Sequence, residues 1–128
     1  MTGLGGFIDT LGLRRRSVGE GRAAFEVEIG KEHMNPDGVV HGGVLFALVD
    51  SAMGAALWSR LDLERGERCA TLEIKINYLA VVTEGSVRAD AALLHRTGRT
   101  AVLEARVHDG DGRLVAVATG SFFIRRAD

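Results

Sequence analysis

The chain has 128 residues, of which 46% are hydrophobic and 26% charged, which predicts a single globular domain spanning residues 1–128. A formal net charge of −1 argues against the strong positive field of proteins that bind nucleic acid or acidic lipid. The single cysteine, Cys69, excludes an internal disulfide and a cysteine-based zinc site.

The first 20 residues are predicted to form an N-terminal arm or a short helix, with residues 7–13 as the helical part. They lack the basic start, apolar core and small-residue cleavage site of a signal peptide, so a cytoplasmic protein is expected. The basic run at residues 14–16 is interpreted as a solvated segment. Residues 23–29 then alternate between apolar and polar side chains, which predicts a half-buried strand.

Residues 42 to about 61 are predicted to form a long helix. Its apolar residues lie nearly all round the helix, so it is expected to be buried on most sides and not laid on a surface. It is interrupted by Asp50 and is too short to span a bilayer, so no membrane partner is expected. An ionised carboxylate removed from water without a partner costs several kcal/mol or more, so Asp50 needs a reason to be there.

The second half of the chain has a period of two, which predicts strands. In residues 71–78, Leu72, Ile74, Ile76 and Tyr78 form the predicted inward series. Further strands are predicted at residues 85–95, 100–108 and 114–124, with a hairpin turn at 109–112. Together these elements predict an α+β fold in which an antiparallel, curved sheet of five to six strands wraps around one central helix. The last strand is apolar on both faces, which favours an oligomer that covers the outer one.

The loop at residues 35–43 leads directly into the predicted helix. The first N–H groups of a helix have no intrahelical partner, and the helix dipole favours negative charge there. Glycines at positions 42 and 43 leave these N–H groups accessible, so an oxyanion hole is a plausible interpretation. The alternative is that these glycines serve turn geometry only.

Asp50 lies about 10–13 Å along the helix axis from these glycines, at 1.5 Å per residue. A carboxylate at that distance cannot activate a water that attacks a carbonyl held at its own helix start. Two copies of the helix, packed antiparallel about a two-fold axis, would bring Asp50 of one chain near Gly42 of the other. The spacing therefore favours a homodimer at least.

The pattern N-x-x-G-x-x-H-G-G-x-x-x-x-L-x-D, followed by TLEIKINYL, resembles the hotdog-fold acyl-CoA thioesterases of the phenylacetate-pathway (PaaI-like) branch. The resemblance extends from about residue 35 to the C-terminus, and the matching positions are Asn35, Gly38, His41, Gly42, Gly43 and Asp50. It implies hydrolysis of an acyl- or aroyl-CoA thioester without a metal or redox cofactor. It also implies a homotetramer built as a dimer of dimers.

The resemblance assigns roles to five residues. Asp50 matches the catalytic carboxylate, which acts as general base on water or as nucleophile. Gly42 matches the residue whose backbone N–H polarises the thioester carbonyl. His41 positions the site and the leaving group, Asn35 contacts the thioester region, and Thr71 helps Asp50 to hold the water. In the family these groups come from both subunits of a dimer.

For coenzyme A the resemblance implies two segments. They are Tyr78, Leu79, Ala80 and Val81 after the first of the later strands, and Arg96, Thr97, Gly98 and Arg99 in the following hairpin. Many relatives have arginine and proline where this chain has Ala80 and Val81, so a contact from that arginine is missing here. Arg96 and Arg99 fit phosphate binding, although both also fit simple turn residues.

Other residues are given ordinary structural roles. His33, His95 and His108 are predicted to be surface histidines, Cys69 a buried structural thiol, and Tyr78 first of all a core residue. The acyl pocket is expected to include some of Phe46, Met53, Ala56 and Leu57. The sequence does not identify the acyl group.

Two other functions remain open at this point. A hotdog hydratase or dehydratase would need an acid/base pair at the acyl α and β carbons, and the chain has residues for one. A non-catalytic acyl-CoA-binding module would need no acid or base. For Asp50 itself, the simplest alternative is a helix residue satisfied by a neighbouring hydroxyl group.

Overall fold

The structure, a computed structural model, describes residues 4–127. Within them the chain forms two helices and six strands, connected in part by 3-10 turns at Lys31–His33 and Leu63–Arg65. In chain order the elements are α1 (Gly6–Leu11), β1 (Arg14–Gly19), β2 (Arg22–Glu28), α2 (Gly42–Trp58), β3 (Arg68–Tyr78), β4 (Ser86–Arg96), β5 (Thr100–Asp109) and β6 (Leu114–Arg125). No helix in the described part of the chain is long and apolar enough to cross a membrane.

The six strands form one antiparallel sheet in the order β1-β2-β4-β5-β6-β3. Helix α2 packs against one face of this sheet, mainly on β2, β4, β3 and β5. The predicted α+β arrangement, one central helix against an antiparallel sheet, is therefore confirmed, with six strands. Strands β1 and β3 are the two edges, and each has one side without a partner strand among residues 4–127.

Strand β1 was not predicted, because residues 14–19 show no alternation of apolar side chains. The basic run lies in this strand and not in a loose arm: Arg14 pairs with Glu26 and Arg15 with Phe25 of β2. All of β1 except the half-buried Val18 is exposed, as suits an edge strand. The arginines are solvated as expected, but their backbone is ordered by β2.

Helix α2 is buried on most of its sides, as its composition predicted. Nine of its residues belong to the core, and they are Val44, Leu45, Ala47, Leu48, Val49, Ala52, Met53, Ala56 and Leu57. The helix ends at Trp58, three residues before the predicted end. Beyond it the N–H groups of Arg60 and Leu61 donate to the carbonyls of Leu57 and Trp58, three residues back, which is the tighter geometry of a helix end.

A β-bulge at Leu72 changes which side chains of β3 face the helix. Thr71 pairs with Phe122 of β6 and Glu73 with Ser121, so Leu72 has no partner and is 60% exposed. Residues paired across an antiparallel ladder share a face, so the bulge puts Thr71 on the same side as the buried Phe122. The predicted inward series is therefore wrong at Leu72.

The prediction that Tyr78, in β3, is a core residue is also wrong. Tyr78 lies at the strand's end and is 49% exposed, so it is not a core residue.

His33 is buried, contrary to the prediction of a surface residue. Its Nδ1 accepts a hydrogen bond from the Gly30 N–H (2.8 Å), so the neutral ring carries its proton on Nε2, which donates to the Leu11 carbonyl (2.7 Å). The ring thereby ties the end of α1 to the loop before α2. Of the other two histidines, His95 is exposed as predicted and His108 is half-buried.

Candidate active site

Asp50 lies in the middle of α2 and is half-buried. The Thr71 hydroxyl donates a hydrogen bond of 2.6 Å to Asp50 Oδ1. This contact exists because the bulge at Leu72 turns Thr71 toward the helix. In the described part of the chain Asp50 thus has one donor, and its second oxygen remains available to a ligand.

Asp50 and Thr71 line a cavity of about 500 Å³ between the N-terminal segment, α2 and β3. Its other lining residues are Leu4, Phe7, Ile8, Arg15, Val18, Phe25, Ser51, Gly54, Ala55, Trp58, Cys69, Ala70 and Phe122. Four of the chain's seven aromatic side chains are among them. A carboxylate in a mostly apolar cavity of this size is arranged to act on an apolar or aromatic ligand.

The predicted acyl-pocket residues do not line this cavity. Met53, Ala56 and Leu57 are fully buried in the core, where Met53 packs against Gly120, and Phe46 is 37% exposed outside the cavity. The sequence could not distinguish the faces of α2, because apolar residues surround it. The helical face that Asp50 shares with Gly54 and Trp58 is the one that lines the cavity.

Cys69 lines the same cavity and is half-buried. Burial, together with the nearby negative charge of Asp50, raises the pKa of the Cys69 thiol above its ordinary value. The thiol is therefore protonated at neutral pH and is a poor nucleophile. The predicted burial of Cys69 is wrong, since the side chain is half-buried beside the cavity, and its structural role stays a prediction.

The start of α2 is organised by His41, the N-cap residue. The Gly43 N–H donates to His41 Nδ1 (2.7 Å), so the neutral ring carries its proton on Nε2, where a ligand can accept it. A Cβ atom at position 43 would lie 2.9 Å from Nδ1, which explains the glycine there. The Gly42 N–H, in contrast, has no acceptor within residues 4–127. Of the two predicted donors, Gly42 is the available one.

Tyr78 packs against the same helix start. Its hydroxyl donates to the Gly42 carbonyl (2.8 Å), and a Cβ atom at position 42 would lie 3.1 Å from its Cζ. Burial raises the pKa of Tyr78, so the hydroxyl remains a donor.

Asn35 is half-buried, and its Oδ1 accepts hydrogen bonds from the N–H groups of Asp37 (2.9 Å) and Val39 (3.2 Å). Its amide nitrogen is the group left for a ligand.

Residues 78–81, the first predicted coenzyme A segment, run along this loop and are followed by Val82. Val82 accepts from the Val40 N–H (2.8 Å), and Leu79 donates to the Val115 carbonyl (2.7 Å). Arg113 donates to the Val81 carbonyl (2.6 Å). Leu79 and Val81 are more than half exposed. This segment therefore belongs to the helix-start region.

Arg96, in the second predicted coenzyme A segment, forms an ion pair with the buried Glu67. Its guanidinium donates to both oxygens of Glu67 (3.3 Å each) and to the Arg60 carbonyl. Glu67 also accepts from Arg126 and from the Asp62 N–H, and these hydrogen bonds lower its pKa from 4.5 to about 2. The sequence missed this cluster because Glu67 lies in a charged stretch that is typical of an exposed loop.

Arg99 is exposed and borders a separate cavity of about 390 Å³ at the same hairpin. Gly98, Phe123, Ile124, Arg125 and Arg126 also line this cavity. Thr97 stabilises the hairpin through backbone and side-chain hydrogen bonds with Thr100. The hairpin meets the chain near the end of α2, so it lies at the opposite end of that helix from Gly42.

Within one chain the structure thus brings the predicted residues together in three groups. Asp50 and Thr71 share the aromatic cavity, the helix start holds the Gly42 N–H that has no acceptor within residues 4–127, and the hairpin carries Arg96 and Arg99. None of the residues of the helix start lines the cavity of Asp50.

Comparison with known proteins identifies the family of the chain. Residues 37–116 match the family described as the thioesterase superfamily, which is more than half of the chain. The chain belongs to the thioesterase superfamily. A conserved protein from Pseudomonas aeruginosa has a similar structure, with a TM-score of 0.90, 38% identity and 95% of each chain covered. The predicted hotdog fold is therefore confirmed.

Two further relatives are informative. The phenylacetic acid degradation protein PaaI from Thermus thermophilus is 30% identical, with a TM-score of 0.83 over 91% of this chain and 96% of its own. A 1,4-dihydroxy-2-naphthoyl-CoA hydrolase from Listeria monocytogenes is 29% identical over 94% of this chain and 97% of its own length. The predicted class of enzyme, a thioester hydrolase, is confirmed at the level of the family.

Proposed function

We propose that this thioesterase hydrolyses an aroyl- or acyl-CoA thioester to the free acid and coenzyme A, with Asp50 as general base. The observation that carries the proposal is the 2.6 Å hydrogen bond from Thr71 to Asp50 Oδ1, made inside an aromatic cavity. It fixes the carboxylate and leaves Oδ2 to accept the proton of a water molecule. A general base must lie within hydrogen-bond reach of its water, and the cavity has room for both water and acyl group.

In the proposed reaction, Asp50 accepts a proton from water while the water oxygen attacks the thioester carbonyl carbon. The Gly42 N–H donates to the carbonyl oxygen as it becomes negative. The C–S bond then breaks, and the coenzyme A thiolate takes up the proton to leave as a thiol. His41, through its Nε2–H, is placed to donate to the leaving group. The reaction as proposed uses no metal or redox cofactor.

The site is proposed to be shared between two subunits. Gly42 and Asp50 belong to separate regions of one chain, roughly 12 Å apart along α2. Strand β3 offers a surface for a partner: it is an edge strand of 11 residues that is largely exposed, including Leu72 and Tyr78. Unpaired edges of this length are normally covered or paired. We therefore propose a homodimer as the active unit and a homotetramer as the full assembly.

Coenzyme A is proposed to lie along residues 78–82, beside the carbonyl donor, and to reach the hairpin of the partner subunit. Antiparallel pairing of α2 would bring the hairpin end of one helix toward the start of the other. Arg99, Arg125 and Arg126 surround a cavity that fits phosphate groups. Arg96 supports this site through Glu67 and has less freedom to contact phosphate itself.

The acyl group is proposed to be aromatic. Phe7, Phe25, Trp58 and Phe122 line the cavity that contains Asp50. The Listeria monocytogenes relative is named for the hydrolysis of an aroyl-CoA.

The proposal is tested by thiol release from a panel of aroyl- and acyl-CoA thioesters, combined with mixed dimers. Gly42→Pro removes the N–H, and proline is tolerated at the first helical position because His41 has an extended backbone. Gly42→Ala adds a Cβ but keeps the N–H, so it is the matched control. We expect Asp50→Asn and Gly42→Pro each to lower turnover by roughly 10²- to 10³-fold, and Gly42→Ala to retain most of it.

Co-expression of Asp50→Asn with Gly42→Pro then tests the shared site. A heterodimer of the two contains one site with both defects and one with neither, so activity returns if the site is shared. If each chain formed its own site, every site would carry a defect and no activity would return. Turnover by Asp50→Asn at the wild-type rate would refute the proposed mechanism.

A further inference from the structure

Arg15 is the basic residue of the cavity that holds Asp50, and no role has been given to it. The lining of this cavity contains one acidic side chain, Asp50, and one basic one, Arg15. The rest of the lining is apolar, small or uncharged. Arg15 is exposed to solvent, so its guanidinium borders the open side of the cavity, where it can bind a polar or anionic group of a ligand.

The register of the sheet explains how Arg15 comes to face the cavity. Arg15 pairs directly with Phe25 of β2, and Phe25 is a core residue on the face that packs against α2. Residues directly opposite each other in an antiparallel pair share a face of the sheet. Arg15 therefore occupies an inward position of β1, where Val18 provides an apolar side chain three residues later.

Its neighbours in the basic run behave differently. Arg14 pairs with Glu26, so it is on the other face, and it lines a different cavity together with Glu26 and Glu28. Arg16 lies 3.9 Å from a Glu26 oxygen. Both arginines thus have acidic neighbours. Within residues 4–127, the Arg15 guanidinium makes no hydrogen bond or ion pair, although the carboxylate of Asp50 lines the same cavity.

We propose that Arg15 is a specificity residue that binds an oxygen substituent on an aromatic acyl group. The inference rests on the proposed function: the aromatic lining holds the ring, Asp50 and its water act at the thioester end, and Arg15 donates to a hydroxyl or carboxylate oxygen on the ring. A guanidinium is well suited to such oxygen acceptors, since it offers several donors in one plane. Because it is separate from Asp50, it selects the acyl group without neutralising the base.

The test compares ring-substituted substrates in three proteins. Benzoyl-CoA is measured against its 3- and 4-hydroxy and 3- and 4-carboxy derivatives, with kcat/KM as the readout. Arg15→Met keeps the length of the side chain and removes its charge. Arg14→Met is the matched control, since it removes the preceding arginine of the same exposed strand from the opposite face.

We expect kcat/KM of the wild type to be roughly 10-fold higher for at least one oxygen-substituted substrate than for benzoyl-CoA. This is the typical contribution of one charge-assisted hydrogen bond. Arg15→Met should bring this ratio close to 1 with little change for benzoyl-CoA, and Arg14→Met should leave the ratio unchanged. The inference is overturned if the wild type shows no preference, or if the preference persists in Arg15→Met. It is also overturned if Arg15→Met lowers kcat/KM equally for all substrates, because Arg15 would then serve coenzyme A or the fold.

A binding measurement separates this inference from the proposed hydrolysis. Phenacyl-CoA and its ring-carboxylated and ring-hydroxylated analogues cannot be cleaved, and their dissociation constants can be measured by calorimetry. If no thioester of the panel is hydrolysed, the proposed function fails, but Arg15 is still tested. Tighter binding of the oxygen-substituted analogues by the wild type and Arg14→Met, and not by Arg15→Met, supports the inference. Equal binding of all analogues overturns it.

Discussion

Two carboxylates of the protein, the buried Glu67 and the half-buried Asp50, have opposite surroundings. Glu67, whose side chain is 3% exposed, accepts hydrogen bonds from Arg96, Arg126 and the Asp62 N–H. Within residues 4–127, Asp50 accepts one hydrogen bond, from the Thr71 hydroxyl, and no arginine is bonded to it. Both of Glu67's oxygens are used, whereas Asp50 keeps one oxygen that faces a cavity.

The difference shows how to recognise a carboxylate that is kept for chemistry. A buried charge that only stabilises the fold is saturated with donors, because any unsatisfied lone pair costs free energy. A general base must retain an oxygen that can take a proton, so it cannot be saturated. Glu67 therefore belongs to the framework that joins the end of β6 to the hairpin before β5. Asp50 keeps the free oxygen that the proposed reaction requires.

The largest effect is expected from Asp50→Asn. The amide cannot accept the water's proton, so kcat should fall by roughly 10³-fold, within the range usual for general-base catalysis. The Thr71 hydroxyl can still donate to the amide oxygen, so the free energy of unfolding should change by less than about 0.5 kcal/mol, as at sites without a saturated network. Thiol release and urea denaturation measure the two quantities. A large loss of stability without loss of kcat would reverse the roles given to Asp50 and Glu67.

Glu67→Gln should produce the reverse pattern. Loss of the charge leaves Arg96 and Arg126 without their ion-pair partner and should lower the free energy of unfolding by roughly 2 kcal/mol. Turnover per folded molecule should stay close to that of the wild type. Denaturation curves, with kcat measured at a temperature where both proteins are folded, check this.

The pH dependence sharpens the same prediction. The pKa of Glu67 is lowered from 4.5 to about 2 in the folded protein, so its stabilising contribution is fully present above pH 4.5 and is lost as the pH falls toward 2. The stability advantage of the wild type over Glu67→Gln should shrink over that interval. An advantage that does not change between these pH values would show that the ion pair is not its source.

The two carboxylates also show what the sequence could and could not predict. The helix start depends on short-range contacts, such as that between Gly43 and His41, and it matches a family pattern of fixed spacing. Asp50 is recognisable because an isolated charge in an apolar helix is unusual. Glu67 lies among other charged residues, and its partners Arg96 and Arg126 are 29 and 59 positions away, so nothing local distinguishes it from a solvated side chain.

The geometry around Asp50 could not be predicted for a similar reason. Simple alternation along β3 places Thr71 opposite to Ile74, on the outer face, and only the bulge at Leu72 turns it inward. A bulge depends on pairing with β6, which a single strand's pattern does not show. The cavity likewise depends on which face of an all-round apolar helix meets β1, and β1 itself has no apolar alternation.

Thr71→Val should have a moderate effect and is specific to Asp50. Valine has nearly the same shape as threonine but cannot donate a hydrogen bond, so Asp50 loses its orienting contact. We expect kcat to fall by roughly 10-fold, as for the loss of one hydrogen bond to a charged group, with little change in KM. Thr71→Ser keeps the hydroxyl and is the control, which should retain most of the activity. Equal kcat in the valine variant and the wild type would mean that the bulge does not serve catalysis.

The smallest effects are expected from the two arginines of the hairpin, and they test how far the framework and the substrate site are separate. Arg96 serves Glu67, so Arg96→Met should lower the free energy of unfolding by about 1 kcal/mol and leave KM unchanged. Arg99 is exposed beside the basic cavity, so Arg99→Met should leave stability unchanged and raise KM for coenzyme A thioesters by roughly 5-fold, as for loss of one exposed charge contact. Measurement of both quantities on both variants decides the assignment. If Arg96→Met raises KM without loss of stability, Arg96 of the wild type exchanges its hydrogen bonds to Glu67 for bonds to a substrate phosphate. Glu67 would then take part in the recognition of coenzyme A.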